Sequence, residues 1–240
     1  MKPEEVDRIL AQAAHRAAPP DISRRVIECV ENVLLSDLRP VRPLAPPWAS
    51  GTAFLILFAA VAAAAAAALG LHGVAVLAGE QRALIFPSLL LAALLAAAAC
   101  VRQMRPAAGA SLETMALVVS ALGFPALFWL LFRGYDTGNL VSEGVPCLIA
   151  GMSVAIPTGI LAALVLRRGF VMDWSRAGLA AGTLAGLAGL AMLELHCPNL
   201  KAIHVIVWHV GVVVFSAALG LATGSAADRL RRRKAIRRAI

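Results

Sequence analysis

Charge is scarce in this sequence. Only 15% of its 240 residues are Asp, Glu, Lys or Arg, against 60% apolar and a mean hydropathy of +0.80. Too few polar side chains exist to cover a water-facing globule, so lipid has to be part of the solvent. Aromatics are also few, at 5%, and long runs of Ala and Leu take their place. That composition argues against a β-barrel, whose strands alternate apolar and polar residues, and for helices packed through small side chains. The patterns of common catalysis are missing as well: no His-Glu-x-x-His pair, no Gly-x-Ser-x-Gly elbow, no P-loop and no Asp-rich phosphate site. Ser153 has no histidine at an obvious partnering distance and reads as a packing or back-bonding hydroxyl. Neither an enzyme nor a cofactor is expected. Within the apolar runs the ionisable residues are Glu113, Glu194 and His209, none of them central. A pump or ion carrier needs such groups near the bilayer centre, so ion transport is disfavoured.

What charge there is divides unevenly. Residues 1–48 carry seven basic and seven acidic groups, a net charge of 0, whereas residues 225–240 carry seven basic groups and only Asp228, a net +6. The head is therefore no polybasic arm, and direct nucleic-acid binding is not expected. The tail, directly after the last apolar run, reads as a cytoplasmic stop signal that also attracts anionic lipid.

Met1 to Leu44 lacks an apolar core of signal-peptide length, so the head is expected to stay inside. It reads as two short amphipathic helices. The first covers about Pro3 to Arg16, and Pro19-Pro20 ends it. Asp21 is the expected N-cap of the second, where Ile22, Val26, Val30 and Val33 form an apolar stripe. Such a stripe requires a partner, either another protein or the first helix. Arg39 to Trp48 is dense in proline and reads as a stiff tether, with Trp48 as an interfacial anchor.

Six apolar runs follow: Ala49 to Leu71, Leu84 to Val101, Leu112 to Phe132, Pro146 to Leu166, Gly178 to Leu195 and Val205 to Gly224. Each approaches the roughly 20 residues that a crossing needs. Arg102, Arg105, Arg167, Arg168 and Arg176 fall in the even-numbered connections, which places those loops and both termini in the cytoplasm. The expectation is an all-α polytopic membrane protein with three parts: a head and tether over 1–48, a six-helix bundle over 49–224 and a basic tail over 225–240.

Gly178, Gly182 and Gly186 recur every four residues in the fifth run and read as a helix-packing row. The cysteines divide by topology. Cys29 and Cys100 face the reducing side, whereas Cys147 and Cys197 both fall at the outer surface. There a disulfide is permitted, and so is a shared soft metal ion with His196 and His204 as nitrogen donors. Two unrelated apolar cysteines fit as well, because spacing in sequence does not fix the distance between them.

The outer-surface residues Glu143-Gly144-Val145-Pro146-Cys147-Leu148, Leu195-His196-Cys197-Pro198 and Trp208-His209, with Gly220-x-x-x-Gly224 after them, resemble the NrsF-type membrane anti-sigma factors, negative regulators of sigma F. Leu38 to Leu44 is similar to the juxtamembrane segment of that family. The resemblance implies an inner-membrane protein that sequesters an extracytoplasmic-function sigma factor and releases it under stress. By position it implies that Cys147 and Cys197 sense metals or oxidants. The head has His15 and Cys29 but no His-x-x-x-Cys-x-x-Cys cluster, so zinc is not expected there. The competing classes are a small-solute or metal transporter and a structural membrane subunit.

Overall fold

The computed structural model describes residues 20–37, 45–105 and 112–239, which are mostly helical and contain no strand. Two compact units, Met1–Pro43 and Leu44–Ile240, divide the chain.

In the first unit the described element is α1, Pro20–Asp37. It opens on proline, whose fixed φ and missing N–H suit the first position of a helix. Asp21, expected as the N-cap, therefore lies inside the first turn. Val26, Val30 and Val33 are exposed, as is Ile27. The helix expected over Pro3 to Arg16, the side chain of Ile22 and most of the proline-rich tether lie outside the described residues.

The second unit holds α2 (Pro47–Leu69), the short α3 (His72–Val76), α4 (Gly79–Gln103), α5 (Leu112–Leu131), α6 (Leu140–Leu166), α7 (Trp174–His196) and α8. Helix α8 starts at Ala202–His204, passes through a π-helical turn at Val205–His209 and runs on as Val210–Ala239. Among the described residues six helices, α2 and α4 to α8, are long and apolar enough to cross a membrane; α4, α6, α7 and α8 contain a predicted run whole, whereas α2 and α5 stop two residues and one residue short of the ends of theirs. Helices α4 and α7 reach 25 and 23 residues. They outlast their apolar runs because Glu80 to Arg82 and Trp174 to Arg176 continue the helix into polar surroundings. The basic tail likewise continues α8 as helix.

The outer faces of these helices are apolar: Leu91, Leu122, Leu130, Ile149 and Phe215 are all exposed. That pattern suits lipid as the surrounding solvent. The centre of the bundle is α7, in which every residue from Ala180 to Glu194 is buried. Its Gly- and Ala-rich sequence makes this possible, since small side chains let neighbouring backbones approach.

The close approaches have a definite register. A Cβ at Gly178 would fall on the Gly220 carbonyl, one at Gly182 on the Ser216 carbonyl, and one at Gly186 would sit 2.5 Å from the Val213 Cα. From the other side, a Cβ at Gly224 would strike the Trp174 carbonyl. The row on α7 and the Gly220-x-x-x-Gly224 pair on α8 are thus two halves of one antiparallel contact. Helix α6 meets α7 at another such point, where a Cβ on Gly189 would lie 2.6 Å from the Gly151 carbonyl.

At the arginine-rich end the helix termini are closed by polar contacts. Asp173 accepts from the Arg176 amide at 3.0 Å as the N-cap of α7. Asp228 of α8 accepts from the Ser175 amide at 3.1 Å, and Arg231 stacks 4.5 Å over the Trp174 ring. The buried Glu113 accepts from Gln103 at 3.3 Å and lies 3.9 Å from Arg176. Apart from Asp228 and Arg231, which lie within the tail half of α8, these groups sit at helix ends.

Candidate functional site

The opposite end of the bundle gathers three of its helix termini. Cys147 lies in the first turns of α6, directly after Pro146. Cys197 caps α7, its amide donating to the Leu193 carbonyl at 2.7 Å. The chain then turns through a loop to enter α8 at Ala202. Glu143 in the first turn of α6 holds this loop: it accepts from the Asn199 side chain at 2.9 Å and pairs with Lys201 at 3.6 Å. The Ala202 amide donates to the Arg133 carbonyl at 3.3 Å, which fixes where α8 begins.

These contacts bring two thiols and two imidazoles together. Cys147 Sγ lies 3.6 Å from Cys197 Sγ, and Cys197 Sγ lies 3.8 Å from His204 Nε2. His209 completes the group, and one donor atom from each of the four residues lies within 4.8 Å of all the others. Cys197, His204 and His209 are buried and Cys147 is half-buried. All four cysteines are free thiols, with Cys29 exposed and Cys100 buried.

The π-helical turn is what makes the two histidines neighbours. On an ordinary α-helix, residues five apart diverge by about 140° around the axis. Bonding from residue i to i+5 returns them towards one face. His204 and His209 bracket such a turn, and their rings meet edge to face with centroids 5.3 Å apart.

His209 is oriented from behind. Its Nδ1–H donates to Glu194 Oε1 at 2.7 Å, with both side chains almost wholly buried. That leaves His209 Nε2 buried and without a partner, as is His204 Nδ1. Nearby, the Trp208 indole packs against Gly144, where any Cβ would collide with it. Cys197, in the loop between the helices, is held well below the ordinary thiol range. The hydrogen bond from Cys147 is the main cause, with burial opposing it and the bond to His204 adding to it.

Two residues of this site escape the sequence reading, and one expected residue lies elsewhere. His196, placed beside Cys197 as a nitrogen donor, is not in the group. Its Nδ1 bonds the Gly70 carbonyl at 2.9 Å and its ring lies 5.9 Å from that of His72. Adjacent residues at a helix end face different ways, so proximity in sequence misled. His209 supplies the second imidazole, with Glu194 behind it. Both stand out in the sequence as ionisable residues in apolar runs, but nothing in their spacing joins them across two helices.

A family model described as negative regulator of sigma F (NrsF) matches residues 34–229. The chain belongs to this family. No curated protein and no solved structure matches it. The matched range takes in the six apolar runs together with Cys147, Cys197, Glu194, His204 and His209, but it begins after Ile22, Val26, Val30 and Val33. As a negative regulator of sigma F, this NrsF-family chain has a sigma factor as its partner class, and membership favours a binding protein over an enzyme.

Proposed function

We propose that the chain is a multi-pass inner-membrane anti-sigma factor. On this reading its cytoplasmic head holds an extracytoplasmic-function sigma factor inactive and lets it go when Cys147 and Cys197 are modified from the periplasmic side. Family membership supplies the partner class. The observation that carries the sensing half is the 3.6 Å approach of two thiols borne on different helices. An oxidant that takes two electrons, with loss of the proton that Cys147 still holds, would leave a disulfide there, tying α6 to the end of α7.

The head acts through the stripe Ile22, Val26, Val30 and Val33, which the sigma factor covers as a groove covers an amphipathic helix. Residues 1–48 are head and tether, 49–224 the bundle and 225–240 a basic tail that lies against anionic lipid. Both termini are cytoplasmic, since the arginines of the even-numbered loops and of the tail mark that side. A transporter would line a path with polar groups. Along the buried stretch of α7, however, the Thr183 hydroxyl is taken by the Leu179 carbonyl and Glu194 is at the far end.

A signal made at one end of the bundle reaches the other only if the helices have two packings and the modification favours one, by about 1–3 kcal/mol for ordinary coupling. The backbone contacts of α7 with α8 make that pair stiff. A groove of about 320 Å³, lined by Met152, Ile156, Gly159, Gly182 and Ser216 among others, leaves α6 loosely packed against the pair over part of its length. Helix α6 is therefore the moving element.

Two measurements test this reading. A reporter fused after Ile240 is expected to be active only as a cytoplasmic reporter, and one placed between Gly134 and Glu143 only as a periplasmic one. The opposite pattern overturns the orientation. Cys147→Ser and Cys197→Ser, singly and together, are expected to leave insertion and sigma binding intact while fixing the response in one state. The double variant should match either single one because both thiols serve one event. Normal induction by oxidants in the double variant removes the thiol sensor and leaves the anti-sigma assignment standing.

A further inference from the structure

We propose that Cys147, Cys197, His204 and His209 form a tetrahedral zinc(II) site, with Glu194 as the positioning residue behind His209. This deepens the sensing reading, on which it rests, by naming the ligand of the same residues.

The donor set and its dimensions both point to zinc. Two sulfurs and two imidazole nitrogens are a donor combination found in closed structural zinc sites. Bonds of about 2.3 Å to sulfur and about 2.1 Å to nitrogen imply tetrahedral edges of about 3.4–3.8 Å. The sulfur pair stands at 3.6 Å, the Cys197 to His204 pair at 3.8 Å, and no pair of donors in the group exceeds 4.8 Å. A modest contraction closes the tetrahedron without moving a helix.

The second observation is His209 itself. Its side chain is 1% exposed, its Nδ1 proton is committed to Glu194, and its Nε2 has no partner. A carboxylate on one ring nitrogen fixes the tautomer that presents the other as a lone pair, which is how metal-bound histidines are commonly held. Binding holds both sulfurs as thiolates, which cancel the charge of the ion in a buried place. The site then pins α6, through Cys147, to the termini of α7 and α8, which are the elements that the sensing reading needs to couple.

The test uses the reduced full-length chain in phospholipid vesicles, with cobalt(II) as a coloured probe of tetrahedral thiolate ligation and zinc(II) as its competitor. One cobalt per chain is expected, with intense visible absorption that equimolar zinc abolishes. Glu194→Gln is expected to weaken zinc by about 10- to 100-fold, the usual effect of losing an outer-shell carboxylate. His209→Ala should weaken it at least as much, and His196→Ala should leave it unchanged. Absence of the tetrahedral spectrum in the wild-type chain overturns the site, and wild-type affinity in both Glu194→Gln and His209→Ala removes their assigned roles. Should His209→Ala fail to fold, the wild-type spectrum and Glu194→Gln still decide. The sensing reading fails separately, through normal induction in the double serine variant, whatever metal the chain binds.

Discussion

Gly182→Ala is expected to destabilise the bundle by about 3 kcal/mol, although alanine is the better helix former by about 1 kcal/mol. The new methyl group would meet the Ser216 carbonyl and, at 3.0 Å, the Ala217 Cα. Both are backbone atoms of α8 and cannot swing aside as the end of a long side chain can. Relief requires α8 to move away from α7, which strips the contacts at Gly178 and Gly186 as well. Gly211→Ala is the matched control. Its nearest atom, in the Phe215 ring, is 4.0 Å from the added carbon, so here helix propensity decides and stability should rise by up to about 1 kcal/mol. The purified full chain, unfolded by graded denaturing detergent and followed by circular dichroism, should therefore show shifts of opposite sign. Equal shifts for the two variants would mean that the α7–α8 contact is not the tight one described.

The part of this architecture that sequence discloses is the part set by local composition. Apolar runs of sufficient length become helices whatever they touch, and each of the six predicted runs matches one long helix, two of them overrunning its end by one or two residues. The spacing of Gly178, Gly182 and Gly186 announced a close approach, but not to which neighbour. That depends on a register between α7 and α8 to which Gly220 and Gly224 contribute from some 40 positions along the chain. The site was legible to the same depth. Cys147 and Cys197 drew notice as two thiols at the same depth, and the structure places them 3.6 Å apart. His196 was favoured for standing next to Cys197, and its contact with Gly70 has no local signature. His209 reads in sequence only as a non-central ionisable residue of an apolar run, since on a plain α-helix it would face away from His204. Only the π-helical turn at Val205–His209 brings it round, and such a turn has no reliable composition of its own.

The contact with the sigma factor is the remaining half of the proposal, and its test has the largest expected effect on binding. Val26 and Val30 stand 54% and 51% exposed on α1. Two valines buried in a groove contribute about 2 kcal/mol each, so their loss alone lowers affinity by about 1,000-fold. Val26→Asp with Val30→Asp adds the cost of two carboxylates in a dry interface, and co-purification of the sigma factor with the full-length chain from membranes should fall below detection. Aspartate also weakens a helix by up to about 0.7 kcal/mol per residue, so the control has to carry the same change on another face. Arg24 lies about 160° around the helix from Val26, and Arg24→Asp should leave capture nearly intact. Val26→Ala with Val30→Ala, which keeps the helix and removes only apolar contact, should give an intermediate loss. If capture survives both aspartates, the stripe is not the docking face and folds against the head instead. If Arg24→Asp abolishes capture as completely as the double change does, the helix matters but its apolar face is not what the sigma factor reads.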